Sequence, residues 1–356
     1  MGDTGWIPYD DRVRNEWDDF VLAHPRGRFI HLCGFERAVE DVYGLKPNYW
    51  LYARDGRILA VFPSFFHRSI LYGKRLVSQP FSEYGGLLFG PSLATEQKLA
   101  VLAEFPEALA RSRNTGSFDY LEIRCFPDFA GLKSDLFEEK HLYHYGLLPL
   151  TKNLILWDTV ESSVRKNIKR ARSHNLRVEK ADGEDDIRKI FYPLHLRSLR
   201  RLGSPPHPLA YFVALHRNLG GHMSILAAFT DGLPIAALLG WEVGETVHIT
   251  DIVSDEAYHH LRAVDLLHFE FISRAIEGGC KCFDFGPMRY PGQRQYKLKW
   301  GVEPHDYSYF FYPPGRGPRP LSERSPAART GTAVWRCLPS CFAANAGKYL
   351  RKSLSI

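Results

Sequence analysis

"MSILAAFTDGLPIAALLGWEVGETVHITDIV", residues 223–253, consists of three apolar runs separated by two tight-turn signals. Asp231-Gly232 is a dipeptide that readily supplies the positive φ angles of a two-residue hairpin, and Gly244-Glu245 marks a second reversal. The stretch therefore predicts an antiparallel meander of three strands. Downstream, Val264, Leu267, Phe271 and Ala275 recur at helical spacing within residues 261–277, and Gly278-Gly279 supplies the stop. A short strand, "KCFDFG", follows at residues 281–286.

The same order occurs earlier in the chain. "NYWLYAR" predicts a strand, Asp55-Gly56 a hairpin turn, "RILAVFPSFF" the return strand, Tyr72-Gly73-Lys74 a second turn and "RLVSQ" a third strand. A helix over residues 95–113 and the strand "YLEIRCF" come next. The two Asp-Gly turns lie about half the chain apart, the spacing an internal duplication gives. A meander whose last strand leads through a helix into another strand is the layout of the acetyltransferase-like (GNAT) fold. In that fold two neighbouring strands splay and expose backbone groups that hold an acyl donor. The expectation is an α+β chain with two tandem domains of this kind, each a mixed, mostly antiparallel sheet flanked by helices. The boundaries fall at residues 1–150 and 151–312, followed by a Pro/Arg-rich linker at 313–330 and a basic amphipathic segment at 331–356.

Composition agrees with this organisation. A chain of 356 residues exceeds one typical core, and 45% apolar with 24% charged residues is ordinary for a globular protein. The net charge of +6 suits an anionic ligand without demanding one. The longest apolar stretch, residues 223–241, is broken by Asp231, Gly232 and Pro234, so no membrane span is expected. The polar, acidic start does not resemble a secretory signal, and a cytoplasmic location is expected. The six cysteines suggest reduced thiols. Cys280 and Cys282 share a strand face without a matching second pair, so no metal site is expected.

"SSVRKNIKRARSHN" aligns Val164, Ile168 and Ala171 on one stripe, with Ser162 as N-cap. Arg165, Lys166, Lys169, Arg170 and Arg172 surround that stripe, and acidic residues are missing from the helix. Such a face is either simply solvated or recognises phosphate. The C-terminal segment sets Val334, Trp335, Leu338, Phe342 and Leu350 beside Arg336, Lys348, Arg351 and Lys352. It either docks on the protein or rests on an anionic inner-membrane face. Walker loop, G-x-S-x-G elbow, H-E-x-x-H and dinucleotide fingerprint are all missing, which counts against kinases, hydrolases, zinc proteases and dinucleotide oxidoreductases.

"RKNIKRARSHNLRV" (165–178), "PLAYFVALHRNL" (208–219), "DGLPIAALL" (231–239), "SQPFSEYGGLLF" (78–89) and above all "FDFGPMRYPGQRQYKLKWG" (283–301) together resemble the Fem family of peptidyltransferases over roughly residues 10–312. The branch associated with bacterial exopolysaccharide production looks nearest. The resemblance implies two packed acetyltransferase-like domains with a cleft in the second. It also implies transfer of an amino acid or acyl group onto an amine of a cell-envelope precursor. The long helical insertion of some wall-building members is missing.

On that reading Lys297 occupies the lysine of the family's aromatic-Lys pattern, with Tyr296 as the aromatic. A fixed cation there stabilises the oxyanion formed when an amine attacks an ester or thioester; the alternative is an exposed strand lysine. Asp284 would orient the amine or fix Arg289, and a structural ion pair is the competing role. Gly286-Pro287 would end the strand and let Arg289 and Arg294 reach an anionic ligand. Asp251 is the best side-chain candidate for a base. Arg165 and Arg170 are candidates for phosphates, Tyr211 for a sugar or amide face, and Gln79, Ser82, Glu83 and Tyr84 for the cleft wall. No permanently bound cofactor is expected; the donor is aminoacyl-tRNA or acyl-CoA. The expected partners are an anionic envelope precursor, tRNA and a membrane surface touched by the tail, but not DNA. A coenzyme A-dependent N-acetyltransferase and a non-catalytic scaffold are the alternatives.

Overall fold

A computed structural model describes residues 4–69, 72–83, 85–111, 118–125, 135–152, 154–317, 332–333, 335–337 and 340–354. The chain divides into two compact units. The described residues 4–143, 306–317 and 352–354 form one, and residues 144–305 with those from 332 to 351 form the other.

In the first unit the strands are β1 (Gly5–Pro8), β2 (Lys46–Pro47), β3 (Trp50–Arg54), β4 (Arg57–Phe62), β5 (Phe65–Ser69), β6 (Gly73–Val77), β7 (Leu88–Phe89) and β8 (Tyr120–Cys125). Its helices are α1 (Arg14–Ala23), α2 (Cys33–Tyr43) and α3 (Thr95–Arg111). One sheet runs β1-β3-β4-β7, and a second neighbourhood runs β2-β5-β6-β8. "RILAVFPSFF", expected as one strand, is therefore two strands in different sheets. Pro63 lacks the N–H that a continuous ladder requires. The corner beside it is locked, with Ser64 Oγ donating to the Asn48 carbonyl at 2.5 Å and Asn48 N–H donating back to the Ser64 carbonyl at 2.7 Å. Phe105 of α3 fills the core between Trp6 (centroids 4.6 Å) and Phe62 (4.8 Å).

The second unit contains part of β9 (Glu138–Pro149), then α4 (Ser162–Ser173), β10 (Arg177–Lys180), α5 (Tyr192–Leu202), α6 (Leu209–Leu219), β11 (Met223–Thr230), β12 (Leu233–Val243), β13 (Thr246–Ser254), α7 (Ala263–Glu277), β14 (Cys282–Met288) and α8 (Pro291–Leu298). Strand order is β10-β11-β12-β13-β14-β9, and only β13 and β14 run parallel. Residues 306–312 of the last strand, β15 (Glu303–Tyr312), belong to the first unit, where residues 308–312 pair with β8. Both hairpin dipeptides do what their chemistry demands: Asp55 and Gly56 sit at φ 51° and 75°, Asp231 and Gly232 at 49° and 78°.

Val164, Ile168 and Ala171 of α4 are buried as predicted and share one core with Leu267, Phe271 and Ile272 of α7 and with Val247, Ile249, Phe283 and Phe285 of the sheet. Glu161, not Ser162, is the N-cap of α4. The close approach of α7 requires Gly240, since a Cβ there would lie 2.7 Å from Phe271 Cζ.

The last helix is α9 (Ser340–Leu354), and its part up to Arg351 packs on the second unit. Arg351 Nε donates to the Pro205 carbonyl at 2.8 Å, and a Cβ on Gly347 would meet the Pro206 carbonyl oxygen at 2.5 Å. This is the docked arrangement rather than a free tail. Among the described residues no helix is long and apolar enough to cross a membrane. Of the linker at 313–330, residues 318–330 lie outside the described residues.

Candidate active site

The site begins where two strands part. β13 and β14 pair at Thr246↔Cys282, Val247↔Phe283 and His248↔Asp284, and the ladder stops there, although β13 continues to Ser254 and β14 to Met288. At the same level the β12–β13 register slips: Leu239 faces Asp251 and Gly240 faces Ile249, leaving Thr250 as the extra residue of a bulge. β14 also slips against β9 between Asp284 and Gly286, where Gly286 adopts φ 71°. Bulges bend strands, and together these open a wedge with unladdered edges.

Lys297 stands at that wedge. It belongs to α8, not to a strand, and is only 6% exposed. Its Nζ donates to the carbonyls of Phe285 (2.5 Å) and Pro287 (2.7 Å), both beyond the last parallel rung. Two of the three ammonium donors are thus engaged, and among the described residues one remains. Burial pushes the ammonium pKa down to about 8, Asp284 pulls it up, and Arg289 adds to the depression. The Gly286-Pro287 pair does not end the strand, as the sequence suggested, because β14 bulges there and runs on to Met288. The signal for α8 was available: Pro291 suits a first helical turn, and Tyr296 and Trp300 are spaced to share a face.

Asp284 is fully buried and accepts the Gly286 N–H at 2.8 Å, so it shapes the bulge as well as biasing Lys297. Tyr296 supports the lysine from behind. Its hydroxyl lies 3.2 Å from His268 Nδ1, which faces the Val264 carbonyl at 2.9 Å, and the His268 ring stacks on Phe285 at 5.3 Å. Burial lowers the His268 pKa to about 4, against the Val264 carbonyl, with Lys297 lowering it further. Its ring is therefore neutral.

Strand alternation sends Val247, Ile249, Phe283 and Phe285 into the α4/α7 core, so His248 and Asp284 point to the opposite face. Asp251 reaches His195 of α5, its Oδ1 3.6 Å from His195 Nδ1. Tyr211 of α6 is buried and stacks on His207 at 4.2 Å. Sequence reasoning missed His195 and His207, because neither lies near Asp251 in the chain.

The other expected residues are placed differently. Arg165 donates to the carbonyls of Trp157 (3.1 Å) and Val160 (2.6 Å), which makes it a local brace. Arg170 is exposed, and Arg172 finds its acid on the neighbouring helix, Glu270 at 3.5 Å. Arg289 is half-buried, its N–H donating to Gln293 Oε1 at 3.1 Å, and Arg294 is exposed. In the first unit Gln79 is buried and donates to the Ile30 carbonyl. The Ser82 carbonyl accepts from Arg124 at 2.6 Å, and Glu83 accepts from Tyr143 at 3.3 Å. Tyr84 lies outside the described residues.

Residues 160–298 match the acetyltransferase (GNAT) domain family. This is the GNAT fold. The chain is similar to the crystal structure of FemX, with a TM-score of 0.66 at 14% identity, covering 86% of this chain and 97% of that one. It is also similar to the C-terminal domain of a protein designated a lysylphosphatidylglycerol synthetase from Agrobacterium fabrum, with a TM-score of 0.57, 12% identity and coverage of 85% and 91%. A tandem GNAT protein from the clavulanic acid biosynthesis pathway gives a TM-score of 0.51, 14% identity and coverage of 89% and 100%. No curated protein matches the chain in sequence.

Proposed function

We propose that the chain transfers an acyl or aminoacyl group to an amine of an envelope polysaccharide or peptidoglycan-type precursor, forming an amide. The observation that carries this reading is the β13–β14 wedge with Lys297 buried at its edge. The amine nitrogen attacks the acyl carbon, the carbonyl oxygen gains negative charge, and the ester or thioester group leaves with its electron pair. The remaining Lys297 N–H, fixed beforehand by two carbonyls, serves that developing oxyanion without reorganisation. Ile252, 39% exposed on the diverging part of β13, offers the apolar edge an acyl chain needs.

GNAT domains use acyl-CoA, which makes coenzyme A the nearest alternative donor. One feature works against it. The first turn of α7 opens with Arg262 at φ 60° and carries the buried carboxyl of Asp265, where a pyrophosphate would want a glycine-rich cradle of N–H groups. The resemblance to FemX and to a protein designated a lysylphosphatidylglycerol synthetase favours an aminoacyl ester, with tRNA as its carrier.

The test is a thermal-shift panel at fixed low salt with charged and uncharged tRNA, acyl-CoA thioesters and nucleotide-linked sugars. A ligand at a hundredfold its Kd adds about 2.7 kcal/mol to stability. A shift with charged tRNA that survives Lys297→Ala supports aminoacyl transfer. A shift confined to thioesters makes the coenzyme A reading correct. A scaffold would lose function on removal of residues 332–356 but keep it in Lys297→Ala; the proposal expects Lys297→Ala to be the damaging change.

A further inference from the structure

His195 has no part in the chemistry so far, yet its setting is costly. Its ring is fully buried, and neither nitrogen has a hydrogen-bond partner among the described residues. Phe191 (5.9 Å), Tyr192 (6.1 Å) and Phe212 (4.8 Å) surround it, with His207 at 6.5 Å. A phenyl ring would suit such walls, whereas burying an unpaired polar atom costs stability.

The polar group it faces is the Asp251 carboxylate, 3.6 Å from Nδ1. That separation is just beyond hydrogen-bond length, and such pairs commonly tighten when substrate binds. Asp251 follows the bulge residue Thr250 and keeps 23% of its side chain exposed. Substrate can therefore touch Asp251, while His195 lies beneath it.

We propose that His195 is the positioning residue for Asp251: its Nδ1–H holds one carboxylate oxygen so that the other takes the proton of the attacking amine. This rests on the amide-forming reading above. As the C–N bond forms and the C–O or C–S bond breaks, the proton leaves nitrogen for Asp251 and passes to the alkoxide or thiolate that departs. The groups facing the imidazole are Asp251 from β13, His207 from the loop before α6, Arg351 from α9 and Tyr192 from its own helix. Burial lowers the His195 pKa, Asp251 raises it, and Arg351 lowers it again, with a net downward shift. A neutral ring is what the role requires, since it donates one hydrogen bond without drawing the proton from Asp251.

The experiment compares wild type, His195→Phe, His195→Asn and Asp251→Leu in the whole chain. His195→Phe keeps an aromatic ring and removes the donor; it should raise Tm, lower kcat/KM about 10–100-fold, the size seen for residues that orient a reactive group, and move the acid limb of the pH profile upward. His195→Asn retains a donor in nearly the Nδ1 position and should keep the wild-type acid limb. Independently of turnover, 15N NMR should show the Nδ1–H tautomer of His195 in wild type and its loss in Asp251→Leu, which removes the acceptor. An unchanged acid limb in His195→Phe, or an unchanged tautomer in Asp251→Leu, overturns the proposal. A wild type inactive with every donor, but with the tautomer coupling intact, overturns the transfer reading and supports the contact between the two residues.

Discussion

The two units contain the same device in two conditions. In the first, β6 leads through α3 to β8, and the parallel pair is Arg75↔Tyr120, Leu76↔Leu121 and Val77↔Glu122. In the second, β13 leads through α7 to β14, and the pair also has three rungs. Beyond the third rung they differ. In the first unit the next residues are stitched together: Ser78 N–H donates to the Glu122 carbonyl (2.9 Å), Arg124 N–H to Ser78 Oγ (2.8 Å), and Gly86 N–H to the Arg124 carbonyl (2.6 Å). Glu122 is clamped there between Arg75 at 2.5 Å and Arg124 at 2.9 Å, all three buried. In the second unit the matching gap holds one buried ammonium, Lys297, and an unladdered edge. A GNAT-type wedge is thus a position in the fold that a closed ion network fills in one unit and, on the function proposed above, a reactive centre fills in the other; the side chains just past the third rung decide which.

The largest effect should come from breaking the closed wedge. Glu122→Ala leaves two guanidinium groups buried without their acid, a change worth about 3–5 kcal/mol. Urea titration should show that loss, while the transfer rate per folded molecule is kept. A rate that collapses with the fold intact would mean that the first wedge also takes part in chemistry. In the open wedge the converse holds. Lys297→Met should lower kcat about 10²–10³-fold, some 2.7–4 kcal/mol in the barrier, with little change in substrate binding. Because burial sets the Lys297 pKa near 8, the wild-type rate should fall as pH rises through about 8. Lys297→Arg should remove that alkaline limb, and a limb that persists in it belongs to another group.

Acid should loosen both wedges for one reason. His67 in the first unit and His268 in the second are buried with pKa values near 4, set chiefly by burial, against 6.5 for a free ring. The unfolded chain takes up these protons near pH 6.5 and the folded one only near 4. Stability is therefore complete above pH 6.5 and declines as pH falls toward 4. Each pH unit across that window is worth about 1.4 kcal/mol per histidine, so a fully buried ring such as His268 should account for roughly 3 kcal/mol. His268→Phe, which keeps the stack on Phe285, should flatten the Tm profile of the second unit between pH 6.5 and 4; an unchanged slope would assign the acid sensitivity elsewhere.

How much of this the sequence disclosed follows from the range of each interaction. The hairpins were legible because Asp-Gly encodes its own φ angles, and α4 and α7 because their stripes repeat locally. The split of the first meander hung on Pro63 alone. Lys297 was singled out through a motif, but the helix that carries it was not read, since five polar or charged residues from Gln293 to Lys299 hide the helical face that Tyr296 and Trp300 share. Arg165 looked available because its partners are main-chain carbonyls, which no sequence displays. The His195–Asp251 and Arg75–Glu122–Arg124 groupings depend on strand order and register, which long-range packing decides.

The smallest expected effect tests whether the two units are comparable at all. Gly56 and Gly232 occupy nearly the same backbone conformation, φ 75° and 78°, each after an aspartate that is itself left-handed. A Cβ on Gly232 would meet nothing within 4 Å, so Gly232→Ala should cost only the left-handed penalty, about 1–2 kcal/mol. Gly56→Ala should cost the same if β3–β4 folds as tightly with its unit as β11–β12 does. A markedly smaller loss at Gly56, read by hydrogen exchange in each hairpin, would show that the corner at Pro63 lets the first hairpin open on its own. The closed wedge would then need its buried ion network to hold β6 against β8, whereas the open wedge of the second unit rests on an unbroken meander and can leave its edge free.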